Sequence, residues 1–332
     1  YLVMVFGASD PREQPGGAEL TARELLARGV ERAGALEAEP VVQAELMDAL
    51  GNVYGSLGLF DEARSLLEQA LSRRRALRGA EHEEIATSMM SLAGLLLDMG
   101  AFAEAEPLYR EALAMRRRLL GPDHIDVAAT LNDLALLLAS RDANEEAEPL
   151  LRESLAIQRR HYDEAHPTVA IGLANLAGLL RDRRAYDEAE QLYHEALAMQ
   201  RQLLGTEHPN VAASLSSLAL VLRDKGAIEE AEAMMRESLA MRERLFGEEH
   251  DLTAGSRFQL AALLLTAGAA DEAEPLFRQA LSVSQKVNGA QHWRTALVRV
   301  GLGRGLTALG RYEEAASQLD EAHAVYERED AG

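Results

Sequence analysis

One interval dominates this sequence. The pair Glu-Ala recurs at Glu62-Ala63, Glu104-Ala105, Glu146-Ala147, Glu188-Ala189, Glu230-Ala231, Glu272-Ala273 and Glu314-Ala315, seven times at a step of 42 residues. A leucine column keeps the same step at Leu50, Leu92, Leu134, Leu176, Leu218, Leu260 and Leu302, and a small residue follows each, Gly51 and Gly303 at the ends and Ala between. Leu71, Leu113, Leu155, Leu197, Leu239 and Leu281 form a third column, each after Ala or Ser, and His82, His124, His166, His208, His250 and His292 a fourth. A fixed period of this length marks a repeat array, in which each repeat buries its apolar face against its neighbours.

Inside a repeat the apolar spacing is helical. Val127, Leu131, Leu134 and Leu138 fall at steps of three and four, the stripe of an amphipathic helix. Ser140-Arg141-Asp142-Ala143-Asn144 interrupts it, and Ala147, Leu150, Leu151 and Leu155 start a second stripe. Gly58, Gly100, Gly226, Gly268 and Gly310 share the phase of that break, where a left-handed residue closes a helix. Gly121-Pro122, His166-Pro167 and His208-Pro209 mark the second break, and proline suits the first turn of a helix. Each repeat therefore reads as helix A, a tight turn, helix B and a loop. Alanines of the Ala63 and Ala70 type belong where two helix backbones approach closely.

Composition agrees. Aromatics are 5% and prolines nine, and few β-branched runs remain to build a sheet. The formal net charge of −20 disfavours a phosphate backbone as partner and reads first as a solvated surface. The chain has no cysteine, which excludes disulfides and thiolate chemistry. No apolar run approaches the roughly 20 residues of a membrane helix. The apolar start Tyr1-Leu2-Val3-Met4-Val5-Phe6 lacks the basic residues and cleavage site of a signal peptide. Its first residue is not Met, so the chain is expected to be a piece of something longer.

The columns Met47, Leu50-Gly51, Tyr54 and Ala63 resemble the tetratricopeptide repeat, apart from its leading Trp. The 42-residue length, with Ala105 to Leu113 and then Leu119 to His124, resembles the kinesin-light-chain variety of that repeat. The resemblance implies an all-α, right-handed α-solenoid of about seven antiparallel helix pairs. The expected organisation is an extended connector over 1–18, an N-terminal capping helix over 19–40, seven repeats over 41–328 and a tail over 329–332. Arg257 and Arg299 stand where earlier repeats carry Met or Leu, and His323 replaces a column leucine, as suits a more polar cap. The head, Phe6-Gly7-Ala8-Ser9-Asp10-Pro11 followed by Leu20 to Leu26 and Arg28-Gly29, resembles the junction before the repeats of bacterial serine/threonine protein kinases. It implies a regulatory or sensor segment of such a kinase, cytoplasmic, or extracytoplasmic if a membrane helix precedes it. No phosphate loop, His-Arg-Asp or Asp-Phe-Gly motif is present, so no catalysis is expected of this chain.

Three features invite chemistry. The six column histidines suggest a metal, but ligands one repeat apart do not converge; beside helix A they can bond free amides or the preceding loop. Carboxylate pairs such as Glu145-Glu146 suit the positive end of helix B. Arg73-Arg74-Arg75, Arg116-Arg117-Arg118 and Arg159-Arg160 suit its negative end, or else line one edge as a basic stripe. Neither metal nor cofactor is expected.

Function is expected on the A helices, which line the inner groove in the family. The register exposes Glu45, Asp48, Asn52, Thr87, Ser91, Asp98, Asn132, Asp133, Asn175, Arg181, Ser216, Ser217, Arg223, Phe258, Gln259 and Arg304 among others. Asn132 and Asn175 can hold an extended peptide through its backbone N–H and C=O. Arg181 and Arg223 can fork onto a carboxylate, or pair with Asp182 and Asp224 and be merely solvated. Asp133, Ser217 and Gln259 complete the candidate set. The expected partner is a protein or peptide ligand, with self-association as a further possibility, and no nucleic acid or direct membrane insertion.

Overall fold

Backbone chemistry repeats as faithfully as the sequence. The computed structural model describes residues 22–36, 38–162 and 165–329, and among them are fifteen α-helices and no strand. The expected connector over 1–18, the kinase-like motif at 6–11 and nearly all of the tail lie outside the described residues.

Helix α1 (Ala22–Ala35) precedes seven pairs. They are α2 (Pro40–Ser56) with α3 (Phe60–Arg78), α4 (Glu83–Asp98) with α5 (Phe102–Leu120), and α6 (Ile125–Ala139) with α7 (Asn144–His161). Then come α8 (Pro167–Asp182) with α9 (Tyr186–Leu204), α10 (Pro209–Lys225) with α11 (Ile228–Phe246), α12 (Asp251–Thr266) with α13 (Ala270–Asn288), and α14 (Trp293–Ala308) with α15 (Tyr312–Glu329). Even-numbered members are the A helices and odd-numbered members from α3 onward the B helices. The described residues divide into two compact units, one ending at His161 and one beginning at Tyr162. In each, a B helix packs both on its own A helix and on the next. The architecture is an all-α solenoid.

The histidine column explains the start of each A helix from α4 onward. His82, His124, His166, His208, His250 and His292 are N-caps, and each Nδ1 accepts the backbone N–H two residues on, at 3.1–3.2 Å. That satisfies one of the amides a helix leaves free at its start, and it is the structural alternative to a metal. Among the described residues no group of three His, Cys, Asp or Glu is placed to hold a metal ion.

The turn after each A helix requires a left-handed residue. Gly58, Gly100, Gly226, Gly268 and Gly310 supply it with φ between 73° and 88°, and Asp142 (φ 59°) and Arg184 (φ 63°) take the same place in the two repeats without glycine. The Leu50 and Leu71 columns are buried throughout their leucines, and His323 alone turns outward at the column's end. At the A–B crossing of the first pair a methyl on Gly51 would come within 2.7 Å of Leu67 Cγ, which is why the position is small. The first repeat is closed by α1: Gln43, fully buried, donates through Nε2 to Ala33 O at 2.9 Å and Gly34 O at 3.1 Å, capping the free carbonyls of that helix.

The arginine clusters depart from expectation. Some members do reach along the surface: Arg75 to Glu111, Arg117 to Glu153 and Arg118 to Glu81. Arg74 and Arg116 turn inward instead. Arg74 is 6% and Arg116 7% exposed. Arg74 Nη1 donates to Ser88 Oγ (2.6 Å), and Arg116 to Thr130 Oγ1, Thr87 Oγ1 and Glu83. The long aliphatic stem lets a guanidinium cross from helix B to the next A helix. The polar substitutions late in the chain behave alike. Buried Arg257 pairs with Glu243 at 2.8 Å, and buried Arg299 with Glu321 at 2.7 Å.

Candidate functional site

Within each unit the A helices form the closer-packed side. Helix α2 touches α4 and α4 touches α6 in the first unit; α8 touches α10 and α12 touches α14 in the second. Successive B helices reach one another with long side chains, as in Arg64–Glu104 (2.7 Å), Arg201–Glu237 (2.7 Å) and Arg236–Glu272 (3.0 Å). Spread arginine–glutamate pairs on one side and touching backbones on the other make the A face the inner one of each unit.

The sequence-derived residues fall on that face. Asp133, Asn175, Ser217 and Gln259 occupy one repeat position on α6, α8, α10 and α12, and all four are half-buried. Their surroundings differ. Asn132 Nδ2 donates to Asp133 Oδ1 at 3.1 Å. Burial raises the Asp133 carboxyl above its usual range, against the Asn132 hydrogen bond and the Arg116 charge. Ser217 hydrogen-bonds the buried Tyr193 hydroxyl. Gln259 leaves its Oε1 buried and without a partner. Arg181 donates to Asp182 at 2.9 Å and Arg223 to Asp224 at 2.6 Å, and Arg181 Nε also stands 3.9 Å from Asp224. Both guanidiniums are thus already engaged by the neighbouring aspartates, the pairing weighed against ligand binding from the sequence.

Two positions read as exposed are not. Asp48 is 8% exposed and faces Arg74 at 3.5 Å; burial raises its carboxyl despite that charge. Ser216 is 4% exposed and shares a 2.8 Å hydrogen bond with Ser238 of α11. Both side chains point from the A helix toward a B helix, because the buried stripe is wider than the apolar columns indicate.

The A face of the first unit holds a cavity of about 450 Å³ among α2, α4 and α6. Asn52, Ser91, Asp98 and Asp133, all sequence-derived groove positions, line it together. Gly51, Gly55 and Gly94 also line it, and Leu67, Leu95 and Leu136 supply an apolar floor. Tyr109, from a B helix, brings its hydroxyl to the wall; A-helix periodicity alone does not reveal it. In the second unit, a cavity of about 250 Å³ is lined by Phe258, Phe277, Leu297 and Gly301 with Arg223 and Arg304 at its edge. Phe258 and Phe277 meet edge-on, 5.7 Å between centroids.

Stacked antiparallel helix pairs with a polar A face define a helical-repeat module. The tetratricopeptide repeat family model matches residues 42–118, 84–160, 168–244, 216–283 and 254–328. The chain belongs to the tetratricopeptide repeat family, whose repeats serve as protein–protein interaction scaffolds and are typically non-catalytic. Among curated proteins the sequence finds no match. Among solved structures it is similar to BtubC (BKLC) from P. vanneervenii, with a TM-score of 0.59 and 22% identity over 70% of this chain and 93% of that one. It is also similar to a putative kinesin light chain with nearly identical TPR-like repeats from Podosopora anserina, with a TM-score of 0.55 and 24% identity over 63% and 99%. The apo form of RapI superposes with a TM-score of 0.67 at 14% identity, covering 87% of this chain and all of that one. At these identities the likeness is one of fold, of the kinesin-light-chain-like type.

Proposed function

We propose that the chain is a scaffold that holds a protein partner by an extended or helical peptide segment laid along the A helices. The first unit contributes Asn132 and Asp133; the second contributes Asn175, Arg181, Ser217, Arg223 and Gln259. One observation supports this most: a single repeat position carries Asp133, Asn175, Ser217 and Gln259, four half-buried polar side chains. The corresponding B-helix column is Leu, with Ala or Ser before it. Within the second unit Asn175, Ser217 and Gln259 stand one repeat apart, which suits a backbone that presents N–H and C=O at regular intervals. Arg181 and Arg223 would exchange a neighbouring aspartate for a ligand carboxylate, at little cost because exposed pairs are weak.

The test is capture of partners by the purified chain from lysate of the source organism, identified by mass spectrometry, followed by affinity measurement. Replacing Asn132, Asn175, Arg181 and Arg223 together should abolish binding of a dominant partner while the circular dichroism of the chain is unchanged. An unchanged affinity would remove these residues from the site.

The head sequence supports a second, compatible reading, in which the repeats regulate a serine/threonine kinase domain encoded upstream. Reading the upstream coding sequence tests it directly. Self-association of the purified repeats, seen by analytical ultracentrifugation, would favour control by dimerisation.

A further inference from the structure

The cavity in the first unit carries more chemistry than a general groove requires. We propose that this cavity receives one cationic side chain, a lysine or arginine, of the bound peptide. The proposal rests on the scaffold reading and deepens it by naming the class of residue recognised.

Four observations carry it. The volume of about 450 Å³ lies in the range of a specific ligand pocket. Its floor is leucine and its wall holds two carboxylates, Asp98 and Asp133; none of the described residues lining it is basic. A long methylene stem with a charged head matches that division, whereas a bare ion would gain nothing from the leucines. Among the described residues Asp133 accepts the Asn132 bond alone and Asp98 makes no hydrogen bond or ion pair, so most of their acceptor capacity is open.

The strongest observation is Tyr109. The residue is 2% exposed, yet its hydroxyl opens onto the cavity, and among the described residues it makes no hydrogen bond. The repeat equivalent differs in its neighbour: Tyr193 is bonded by Ser217, and the position of Ser217 is here taken by Asp133. Tyr109 therefore keeps an oxygen free to accept from an ammonium or guanidinium while its proton turns to a carboxylate. Burial and the Asp133 and Asp98 charges all favour the neutral phenol. Gly94 stands beside that oxygen: the nearest wall atom to a methyl added there would be the Tyr109 hydroxyl itself, at 3.7 Å.

The probe is a random dodecapeptide library displayed on phage and selected on the full chain, with selected sequences remade as fluorescein-labelled peptides for anisotropy. Selected peptides should share one lysine or arginine at a fixed position. Exchange of that arginine for neutral citrulline, or of lysine for norleucine, should weaken binding at least tenfold. Asp98→Asn with Asp133→Asn should weaken the cationic peptides about tenfold and leave the citrulline peptides unchanged. Tyr109→Phe, which keeps the buried ring, should weaken the cationic peptides about threefold. Asp61→Asn with Glu145→Gln, on B helices, makes the same change of net charge and should have little effect. Equal losses from both double variants would mean general attraction to an acidic protein and would overturn the pocket. Peptides that bind without a fixed cation would overturn the pocket and leave the scaffold reading standing. Failure to select any peptide would end both.

Discussion

Arg116 Nη1 donates to Thr130 Oγ1 across 3.0 Å, from the last turns of α5 into the flank of α6. The same step of 14 residues joins Arg74 to Ser88 and Arg242 to Ser256, each at 2.6 Å. Neighbouring repeats are thus tied by a polar bond between B helix and next A helix as well as by apolar packing. Arg116 is the most connected of the three, since Glu83, Thr87 and the Asp126 carbonyl also accept from it. Arg116→Ala should cost about 3 kcal/mol, the usual scale for breaking a buried charged network. Urea denaturation followed by circular dichroism measures it, and Arg116→Lys should recover only part because one ammonium cannot replace the fork.

Arg184 holds φ 63° after α8, at the position glycine fills after five other A helices. A side chain in left-handed backbone costs about 1–2 kcal/mol, and part of that is offset by the larger unfolded-state entropy of glycine. Arg184→Gly should therefore raise stability by about 0.5–1 kcal/mol, read as an upward shift of the melting temperature. Gly226→Ala, the converse change at φ 88°, should lower it by a similar amount.

His208 caps α10 through an Nδ1 that accepts from Asn210 N at 3.1 Å. Loss of a side-chain cap typically costs about 1 kcal/mol. His208→Ala should show that loss in thermal unfolding, whereas His208→Asn, another acceptor at the cap, should be nearly neutral. Zinc should stabilise neither the parent chain nor the variants, since the six histidines are separate caps.

Asp133 gives a pH signature. Its folded carboxyl titrates above the usual value because burial disfavours the charge. An acid raised on folding binds its proton more tightly when folded, so this group adds stability as pH falls from above the folded value to the unfolded one near 4. At pH 7 the charged, buried form is a burden that Asp133→Asn removes. The variant should be the more stable protein at pH 7 by urea midpoint, and its advantage should shrink toward pH 4. A gap that widens on acidification would mean that Asp133 is stabilised as a carboxylate.

The helices, their pairing and their caps were legible because they depend on neighbours in sequence. A 42-residue step with one histidine, one leucine column and one breaker per repeat leaves the chain a single way to bury its apolar stripes. Even the two repeats without glycine obeyed that frame, with Asp142 and Arg184 driven into the left-handed turn. The groove positions Asn52, Ser91, Asp98 and Asp133 were also readable one by one from helical register. Their convergence was not: they come from three A helices, and the Tyr109 hydroxyl joins them from a B helix. Nor could charge patterns alone show that Arg74 and Arg116 leave the surface, or that Asp48 and Ser216 are covered. Periodicity fixes which residues share a helix face, since that follows from local backbone geometry. Where a long or polar side chain ends depends on the room and the partners that adjacent helices offer, and these exist only once the repeats have stacked.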